Sequence, residues 1–345
     1  MLRLPRFEFR VPATLGEAAS VLASEGPATR LVAGGTDLWP NMKRRHQLAD
    51  TVVSLMAIEG LSGIENGQAN GGDVRLGATA ILSDVANSPL VRERYPVLAR
   101  AVASISSPPL RNMGTIGGNL CVDTRCTYYN QTEEWRRSID YCMKEAGDIC
   151  WVAPSSSKCW AHSASDSAPV LCALGANVRL VSAEGDRVIS TPDLFINDGI
   201  DYLAKRPDEI LTDIYLPSAS DSGQCRSSFW KLRRRGSIDF AVLSVAAVVW
   251  TDAGGTIERA EIYFGAVASY PVPARAAADF LVGKQLDEET IREAARLARK
   301  VATPMDNTDF QAQWRGTMAE RYTTAALRDA AGLDTGFAAP RHFLL

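Results

Sequence analysis

The sequence predicts an α+β fold that is divided into several units. Strand-like and helix-like segments alternate over the first 60 residues, and four long strand-like segments follow one another between residues 208 and 267. The chain then closes with helical segments. At 345 residues it has room for two or three domains with a sizeable core. Together these observations place the chain in the α+β class.

The first elements are short. Residues 7–10 are expected to be extended, and Thr14 with Glu17 forms a capping box that starts an alanine-rich helix. Segments 29–35 and 51–58 are predicted to be buried strands, and the first of them ends in a glycine turn.

The middle of the chain mixes loops and helices. Residues 66–72 are expected to form a loop because they are rich in Gly and Asn. Residues 81–105 are expected to be mostly helical because their apolar residues recur at helical spacing. Pro108 and Pro109 are expected to end that stretch, and residues 177–190 are predicted to form a hairpin.

The last part of the chain is predicted to be a sheet covered by helices. We expect four successive antiparallel strands, at 208–217, 227–235, 240–250 and 257–267, and three helices, at 274–282, 287–301 and 310–331. We therefore predict three units, with a cysteine-rich segment interrupting the second. Their bounds are 1–58, 59–222 and 223–345, and the interrupting segment covers about 122–164.

Composition excludes some classes of function. Apolar residues make up 46% of the chain, charged residues 22%, and the formal net charge is −3, so we expect neither a nucleic-acid nor a membrane partner. No run of 18 apolar residues predicts a membrane span, and the charged N-terminus does not look like a signal peptide. A cytoplasmic location, with reduced thiols, is therefore expected.

Two glycine loops are candidate anion sites. "AGGTDL" (33–38) and "GTIGGN" (114–119) each combine paired glycines with hydroxyl or amide side chains. Their backbone N–H groups could form two concavities that hold the two phosphates of one pyrophosphate. Each loop alone is more often a plain structural turn. Neither fits the G-x-G-x-x-G or P-loop pattern.

Four cysteines are concentrated in the interrupting segment: Cys126, Cys142, Cys150 and Cys159. A disulfide pair, a zinc ion, an iron–sulfur cluster and coincidence are all possible explanations. Reduced thiols argue against disulfides, and the lack of close C-x2-C knuckles argues against structural zinc. The open spacing favours a [4Fe–4S] cluster, with zinc as the alternative, because each iron of a cubane takes one ligand from a different direction.

Five motifs, in order over nearly the whole chain, carry a family resemblance. They are "LVAGGTDL", "SPPLRNMGTIGGNL", "DSAPVLCALGA", "FWKLRRRGSIDFAVLSVAA" and "EIYFGAVA". Together they resemble the FAD-binding subunits of xanthine dehydrogenase-type molybdenum hydroxylases. The resemblance implies an FAD-binding fold of the vanillyl-alcohol oxidase and CO dehydrogenase flavoprotein type. It makes the first two units FAD-binding subdomains and the third a CO dehydrogenase flavoprotein-like domain of sheet plus helices.

The resemblance also implies which residues touch FAD. The pyrophosphate would lie between the two glycine loops, with Asp166 near the flavin and Lys231 reaching it from the third unit. Without the other motifs, an exposed strand lysine would be the preferred explanation of Lys231. The full implied set is Ala33, Gly34, Gly35, Thr36, Asp37, Leu38, Asn112, Thr115, Gly118, Asn119, Asp166 and Lys231.

The cysteine-rich insertion narrows the resemblance. Asn119 and Asp166 are 47 positions apart, whereas only a short connection separates them in plain family members. "DTRCTYYNQ" and the cysteine spacing resemble the β subunits of 4-hydroxybenzoyl-CoA reductases. This implies FAD and one [4Fe–4S] cluster in this chain, a molybdopterin-binding large subunit and a [2Fe–2S] small subunit as partners, and ferredoxin as electron donor.

Under this resemblance the chain moves electrons, and the substrate reacts on a partner subunit. Electrons would pass from ferredoxin through the cluster and FAD to molybdenum, where 4-hydroxybenzoyl-CoA loses its hydroxyl as water. A second possibility is a hydroxylase that oxidises another aromatic, aldehyde or N-heterocyclic substrate. A third is a flavin-free scaffold with a structural zinc site.

Overall fold

The computed structural model describes residues 3–69, 72–218 and 224–337, and three β-sheets organise these ranges. The first sheet is small and parallel, the second has five strands, and the third has four. Helices separate the sheets or cover them, so the predicted α+β class is confirmed. The three unit bounds predicted from sequence stay a prediction.

The first sheet has the strand order β1-β3-β2. Its strands are β1 (Glu8–Arg10), β2 (Thr29–Val32) and β3 (Thr51–Ser54), and its helices are α1 (Leu15–Glu25) and α2 (Leu38–Lys43). Both strand pairs are parallel. The carboxyl end of β2 therefore leads directly into the first glycine loop, and α2 follows that loop.

The predicted capping box starts α1. The Thr14 hydroxyl accepts the Glu17 N–H at 3.2 Å, and the Glu17 carboxylate accepts the Ala13 N–H at 2.8 Å. The returning bond thus goes to the residue before the cap rather than to the cap itself. The bond to the Glu17 N–H satisfies one of the N–H groups that the first helical turn leaves free.

The second sheet has the order β4-β5-β8-β6-β7, and all its neighbours are antiparallel. Its strands are β4 (Ile64–Ala69), β5 (Gly72–Gly77), β6 (Asn177–Ser182), β7 (Gly185–Ser190) and β8 (Ile210–Leu216). A loop was predicted over 66–72. This prediction is wrong for residues 66–69, which belong to β4, and for Gly72, which begins β5. Residues 70 and 71 lie outside the described residues. Pairing of β5 with the fully buried β8 outweighs the local Gly and Asn content.

The helical stretch predicted over 81–105 is divided into α3 (Leu82–Asn87), α4 (Pro89–Arg94) and α5 (Pro96–Ala103). Proline occupies the first position of α4 and of α5, where its missing N–H costs nothing. Pro108 likewise begins a helix, α6 (Pro108–Arg111), instead of only ending one. Three more short helices follow: α7 (Ile116–Leu120), α8 (Glu133–Ser138) and α9 (Ser167–Leu174).

The third sheet is antiparallel, with the order β12-β11-β10-β9. Its strands are β9 (Gln224–Leu232), β10 (Leu243–Thr251), β11 (Ile257–Gly265) and β12 (Val272–Pro273), and its helices are α10 (Arg275–Leu281), α11 (Glu288–Arg299) and α12 (Ala312–Ala331). The three predicted helices are confirmed. Every residue of β10 is buried, and its side chains alternate between two hydrophobic cores.

The insert, residues 122–164, consists of turns around the single helix α8. Its ends are joined where Arg125 and His162 exchange two backbone hydrogen bonds of 2.8 Å. Its own hydrophobic cluster has five buried residues, of which three are Cys126, Cys142 and Cys159. In the part of the chain that the structure describes, no helix is both long enough and apolar enough to cross a bilayer.

Candidate functional site

A cavity of about 700 Å³ lies where the first two sheets meet. Both glycine loops line it, and so do Cys121, Asp123, Tyr129 and Lys144. Its volume falls within the range of about 300–1,000 Å³ that is typical of small-molecule and cofactor sites. The cavity therefore joins the two loops that the sequence singled out to the start of the cysteine-rich insert.

The first glycine loop presents free backbone N–H groups to this cavity. Those of residues 34–37 have no acceptor among the described residues. Gly35 has a φ of 70°, and a Cβ at this position would lie 2.1 Å from Trp39 Nε1. Only glycine fits this turn, and consecutive N–H groups around such a turn form an anion-binding concavity.

The two glycine loops touch each other. A Cβ on Gly34 would lie 1.7 Å from the carbonyl oxygen of Met113, and one on Gly117 would lie 2.6 Å from Ala78 Cβ. In the second loop the Thr115 hydroxyl accepts the Gly118 N–H at 3.1 Å. The glycines are therefore required for close backbone packing, which fixes the distance between the loops.

Nine of the twelve residues that the resemblance assigned to FAD line one cavity. They are Ala33, Gly34, Gly35, Thr36, Asp37, Leu38, Thr115, Gly118 and Asn119. The described structure does not bring Asn112, Asp166 or Lys231 to the cavity wall. Asn112 ends α6 instead. Assignment of each of these residues to FAD stays a prediction.

Asp166 and Lys231 bind each other behind the cavity. Lys231 Nζ donates to Asp166 Oδ2 at 2.6 Å and to the Ser104 carbonyl at 3.2 Å, and both side chains are at least 96% buried. Burial raises the pKa of Asp166 and lowers that of Lys231, while each charge opposes the shift of the other. An exposed strand lysine is therefore the wrong description of Lys231.

Asn119 connects the second glycine loop to this ion pair. Its Oδ1 accepts from the Ser165 hydroxyl at 3.0 Å and from the Ser167 hydroxyl at 2.6 Å. These two serines flank Asp166. Asp166 and Lys231 thus lie next to residues that hold the loop, rather than in the cavity itself.

Asp37 is bound by a residue that sequence reasoning missed. The Arg125 guanidinium donates to the Asp37 carboxylate, and Asn41 Nδ2 donates to it at 2.9 Å. Burial raises the pKa of Asp37, and the positive charge of Arg125 counteracts that shift. The only sequence signal was that Arg125 directly precedes the first clustered cysteine.

The four clustered cysteines are all buried free thiols. The exposed fractions of Cys126, Cys142, Cys150 and Cys159 are 7%, 7%, 4% and 4%. They are close enough to interact electrostatically: Cys142 and Cys150 each raise the pKa of Cys126, and Cys150 and Cys126 raise that of Cys159. Although they are spread over 34 positions of sequence, three of them, Cys126, Cys142 and Cys159, pack in one hydrophobic cluster.

Backbone N–H groups point at these sulfur atoms. The Ala161 N–H donates to Cys159 Sγ at 3.4 Å, and the backbone N–H groups of Tyr128 and Lys144 act to lower the pKa of Cys126 and of Cys142. In each case the donor is two residues after the cysteine. Burial dominates and raises the pKa of Cys126 to about 11 and that of Cys159 to about 12. The N–H groups favour the thiolate, which these buried sites disfavour without a cation.

No three or more His, Cys, Asp or Glu side chains in the described ranges are grouped so that they could hold a metal ion. The assignment of the four cysteines as cluster ligands therefore stays a prediction.

Tyr129 and Lys144 connect the cysteines to the cavity. Both line the cavity, and the Tyr129 ring packs with Cys126, Cys142 and Cys159. Lys144 Nζ is buried 5.0 Å from the centre of the Tyr129 ring and donates to Asp123 at 2.7 Å. Tyr129 belongs to the motif "DTRCTYYNQ" that the sequence singled out, whereas nothing in the sequence marked Lys144 except its position two residues after Cys142.

Comparison with known proteins decides the family. The FAD-binding domain of molybdopterin dehydrogenases matches residues 5–219, and the C-terminal domain of CO dehydrogenase flavoproteins matches residues 227–330. The chain belongs to the FAD-binding subunits of the molybdenum hydroxylase family. This flavoprotein subunit is thus an oxidoreductase component, and its family supports FAD as the cofactor.

Similar proteins cover nearly the whole flavoprotein subunit. The carbon monoxide dehydrogenase medium chain of Hydrogenophaga pseudoflava is 26% identical over 327 residues, covering 94% of this chain and 97% of that one. The aldehyde oxidoreductase FAD-binding subunit PaoB of Escherichia coli is 31% identical over 248 residues, covering 69% and 76%.

A solved structure of carbon monoxide dehydrogenase from Hydrogenophaga pseudoflava superposes with a TM-score of 0.78 at 25% identity, covering 96% of this chain and 99% of that one. The predicted flavoprotein fold is confirmed. "Medium chain" and "FAD-binding subunit" are names for parts of larger enzymes.

Proposed function

We propose that this flavoprotein subunit relays electrons between a [4Fe–4S] cluster in its insert and FAD in the glycine-loop cavity. The complex it serves would be a 4-hydroxybenzoyl-CoA reductase. In that reaction two electrons and two protons enter, the phenolic C–O bond breaks, and benzoyl-CoA and water leave. The observation that carries the proposal is that three of the four buried thiols, Cys126, Cys142 and Cys159, form one cluster with Tyr129, which also lines the cavity.

The cavity suits a diphosphate-bearing cofactor. Four consecutive N–H groups, those of residues 34–37, lack acceptors in the described structure, and phosphate oxygens would supply them. The second loop also lines the cavity, with Thr115 and Asn119. FAD, when bound, supplies the exchange between one-electron and two-electron transfer. The role of the two loops is to bind and orient it.

The insert suits a [4Fe–4S] cluster. Each corner of a cubane takes one thiolate, so the four sulfurs need not crowd around a single ion. The Ala161 N–H donates to Cys159 Sγ, and backbone N–H groups act to lower the pKa of Cys126 and of Cys142. Such hydrogen bonds, together with burial, set the reduction potential of an iron–sulfur cluster. A cation there would also offset the cost of burying four thiolates.

Packed side chains, rather than solvent, separate the two proposed cofactors. Tyr129 contacts three of the cysteines and lines the cavity, and Lys144 fixes the ring from above through a cation–π contact. This packing connects the two sites through side chains of one segment. The chain needs no catalytic acid or base for this role.

We propose the same partners that the family resemblance implies: a molybdopterin-binding large subunit, a [2Fe–2S] small subunit, and ferredoxin as donor. The names of the relatives as medium chains and FAD subunits support membership in such a complex. All seven cysteines are free thiols, which fits a reducing, cytoplasmic compartment.

A second function is a hydroxylase complex that oxidises another substrate, with the cluster carrying electrons away from FAD. Relatives favour it: one is named nicotinate dehydrogenase FAD-subunit, from Eubacterium barkeri at 27% identity, and PaoB is named an aldehyde oxidoreductase subunit. Both functions use the same cofactors in this chain and differ only in direction and substrate.

The cofactor content of the chain tests the feature that both functions share, which is the presence of FAD and a [4Fe–4S] cluster. The anaerobically purified chain is expected to contain FAD and about four iron and four acid-labile sulfide atoms. Cys150→Ser should lose the iron, whereas Cys225→Ser, at an exposed cysteine outside the insert, should keep it. One zinc ion without iron or sulfide would refute the proposed relay.

Substrate turnover separates the two functions. The intact complex with reduced viologen is expected to convert 4-hydroxybenzoyl-CoA to benzoyl-CoA. No dehydroxylation, together with turnover of an aldehyde or N-heterocycle, would replace the first function by the second.

A further inference from the structure

We infer that the insert holds the FAD-binding loop in position, so that cluster occupancy and FAD affinity are coupled. Three insert residues, Arg125, Tyr129 and Arg136, hold both ends of residues 37–46, a stretch called here the α2 segment. This segment continues directly from the free N–H groups of the first glycine loop. The inference rests on the proposed function for the cluster but adds positioning residues that the family assignment does not supply.

Arg125 holds the start of the α2 segment. It donates through Nη2 to Asp37, and its Nη1 lies 3.4 Å from Asn41 Oδ1. Its guanidinium lies 4.5 Å from the centre of the Phe240 ring, which packs it from the other side. Asp37 supplies the last free N–H of the loop, so this contact fixes the point where loop becomes helix.

Arg136 holds the end of the α2 segment. Its side chain is 1% exposed, and its Nη atoms donate to the Arg44 carbonyl at 3.2 Å and to the Arg45 carbonyl at 3.4 Å. Carbonyls at the end of a helix have no partner within the helix, and a buried guanidinium is a strong donor to them. Tyr129 adds a hydrogen bond from its hydroxyl to the His46 carbonyl at 3.0 Å.

Each of these residues is also tied to a cysteine. Arg125 directly precedes Cys126, and the N–H of Tyr129 donates to the Cys126 carbonyl at 3.0 Å. Arg136 Nε binds Glu145 at 2.6 Å, and the Glu145 N–H donates to the Cys142 carbonyl at 2.9 Å. Binding of metal by Cys126 and Cys142 therefore fixes the atoms that position the α2 segment.

The α2 segment depends on these contacts. A helix of six residues is far below the length at which isolated helices persist, so its neighbours must stabilise it. The insert, with its small hydrophobic cluster, depends in turn on its thiols being held together. Two weak elements that brace each other produce positive coupling between their ligands, and linkage makes that coupling reciprocal.

The first experiment compares FAD affinity of the same protein with its iron, without it, and with it restored. FAD affinity of the full wild-type chain is measured by equilibrium dialysis with its iron in place, after anaerobic chelation, and after reconstitution with iron and sulfide. FAD should bind about tenfold more weakly without iron and recover on reconstitution, a size typical of coupled sites. An affinity that stays within about twofold throughout would overturn the coupling.

The second experiment compares neighbouring arginines on α8. Arg136→Gln should weaken FAD binding by about tenfold and speed amide hydrogen exchange over residues 37–46. Arg137→Gln, whose side chain is 66% exposed, should change neither. Arg136→Lys should restore part of the affinity. Equal effects of the Arg136 and Arg137 changes, or no effect of Arg136→Gln in a folded protein, would refute the role of Arg136.

The two proposals fail in different ways. A chain without iron refutes the cluster, while the comparison of Arg136 with Arg137 still tests the hold on the α2 segment. A chain that binds iron and sulfide, yet binds FAD equally well with and without them, keeps the relay and loses only the coupling.

Discussion

The glycine-loop cavity and the cysteine insert are built by opposite means. The cavity is made of backbone, follows directly from β2, and owes its shape to glycines that let two loops touch. The insert has one short helix, and thiols form most of its hydrophobic cluster. A surface of strands and loops is shaped before its ligand arrives. A segment whose core is mainly sulfur depends on a ligand for its own order.

The largest expected effect comes from removing one thiolate. Cys142→Ser should abolish iron binding and expose residues 122–164 to proteolysis, while the sheets keep their protection from hydrogen exchange. Limited proteolysis with mass spectrometry checks this. An insert that resists protease as well as the wild type would show that it is as self-supporting as the cavity.

The converse change acts on the cavity alone. Gly34→Ala places a Cβ 1.7 Å from the Met113 carbonyl oxygen, so the loops must separate. FAD binding should weaken by about a hundredfold, the equivalent of two lost hydrogen bonds to a charged phosphate. Iron content should fall much less, because the cysteines are elsewhere. Flavin and iron analysis of the same sample measures both, and parallel loss of the two would end the distinction.

A third change tests whether the ion pair behind Asn119 supports the cavity. Lys231→Met leaves Asp166 buried at 3% exposure without its cation, which should lower the free energy of unfolding by about 3–5 kcal/mol. Asp166→Asn in the same chain should recover part of the loss. Denaturant unfolding gives both values, and a change below about 1 kcal/mol would assign the pair no supporting role.

The smallest effect is a pH dependence at the end of the insert. His162 is 1% exposed, and burial lowers its pKa from 6.5 to about 3. Below pH 6.5 the unfolded chain binds a proton that the folded chain does not, so stability falls with pH until the folded pKa is reached. Between pH 7 and pH 5 the loss should be about 1–2 kcal/mol. His162→Gln should remove this loss of unfolding free energy between pH 7 and pH 5, as measured by urea titrations at each pH. An unchanged pH dependence in the variant would contradict the assignment to His162.

Sequence reasoning succeeded where the signal was local. The Thr14 capping box and the closing helices could be predicted because each depends on neighbouring residues. The glycine loops could be chosen because a turn such as that at Gly35 excludes other residues. These features need no knowledge of the rest of the chain.

The failures came from contacts distant in sequence. The turn side of the β4–β5 hairpin, residues 66–69 and Gly72, looked like a loop because the strand that pairs with β5, β8, lies more than 130 residues away. Arg136 and Lys144 looked like ordinary charged residues, and only folding shows that both are buried against backbone oxygens or carboxylates. The buried ion pair between Asp166 and Lys231, 65 residues apart in sequence, was not predicted either.

The fully buried strand β10 sets a limit on dissecting the molecule. Ala246, Val248 and Trp250 serve one core, while Val245, Ala247 and Val249 serve the other. A fragment that ended before residue 224 would lose β10 and expose the apolar side chains of the first core. A fragment that began at residue 224 would keep β10 but expose its Ala246, Val248 and Trp250 side chains. The two family matches meet near residue 224, but this boundary divides the sequence and not the packing, because both hydrophobic cores include β10. Neither half can therefore be studied as an independent protein.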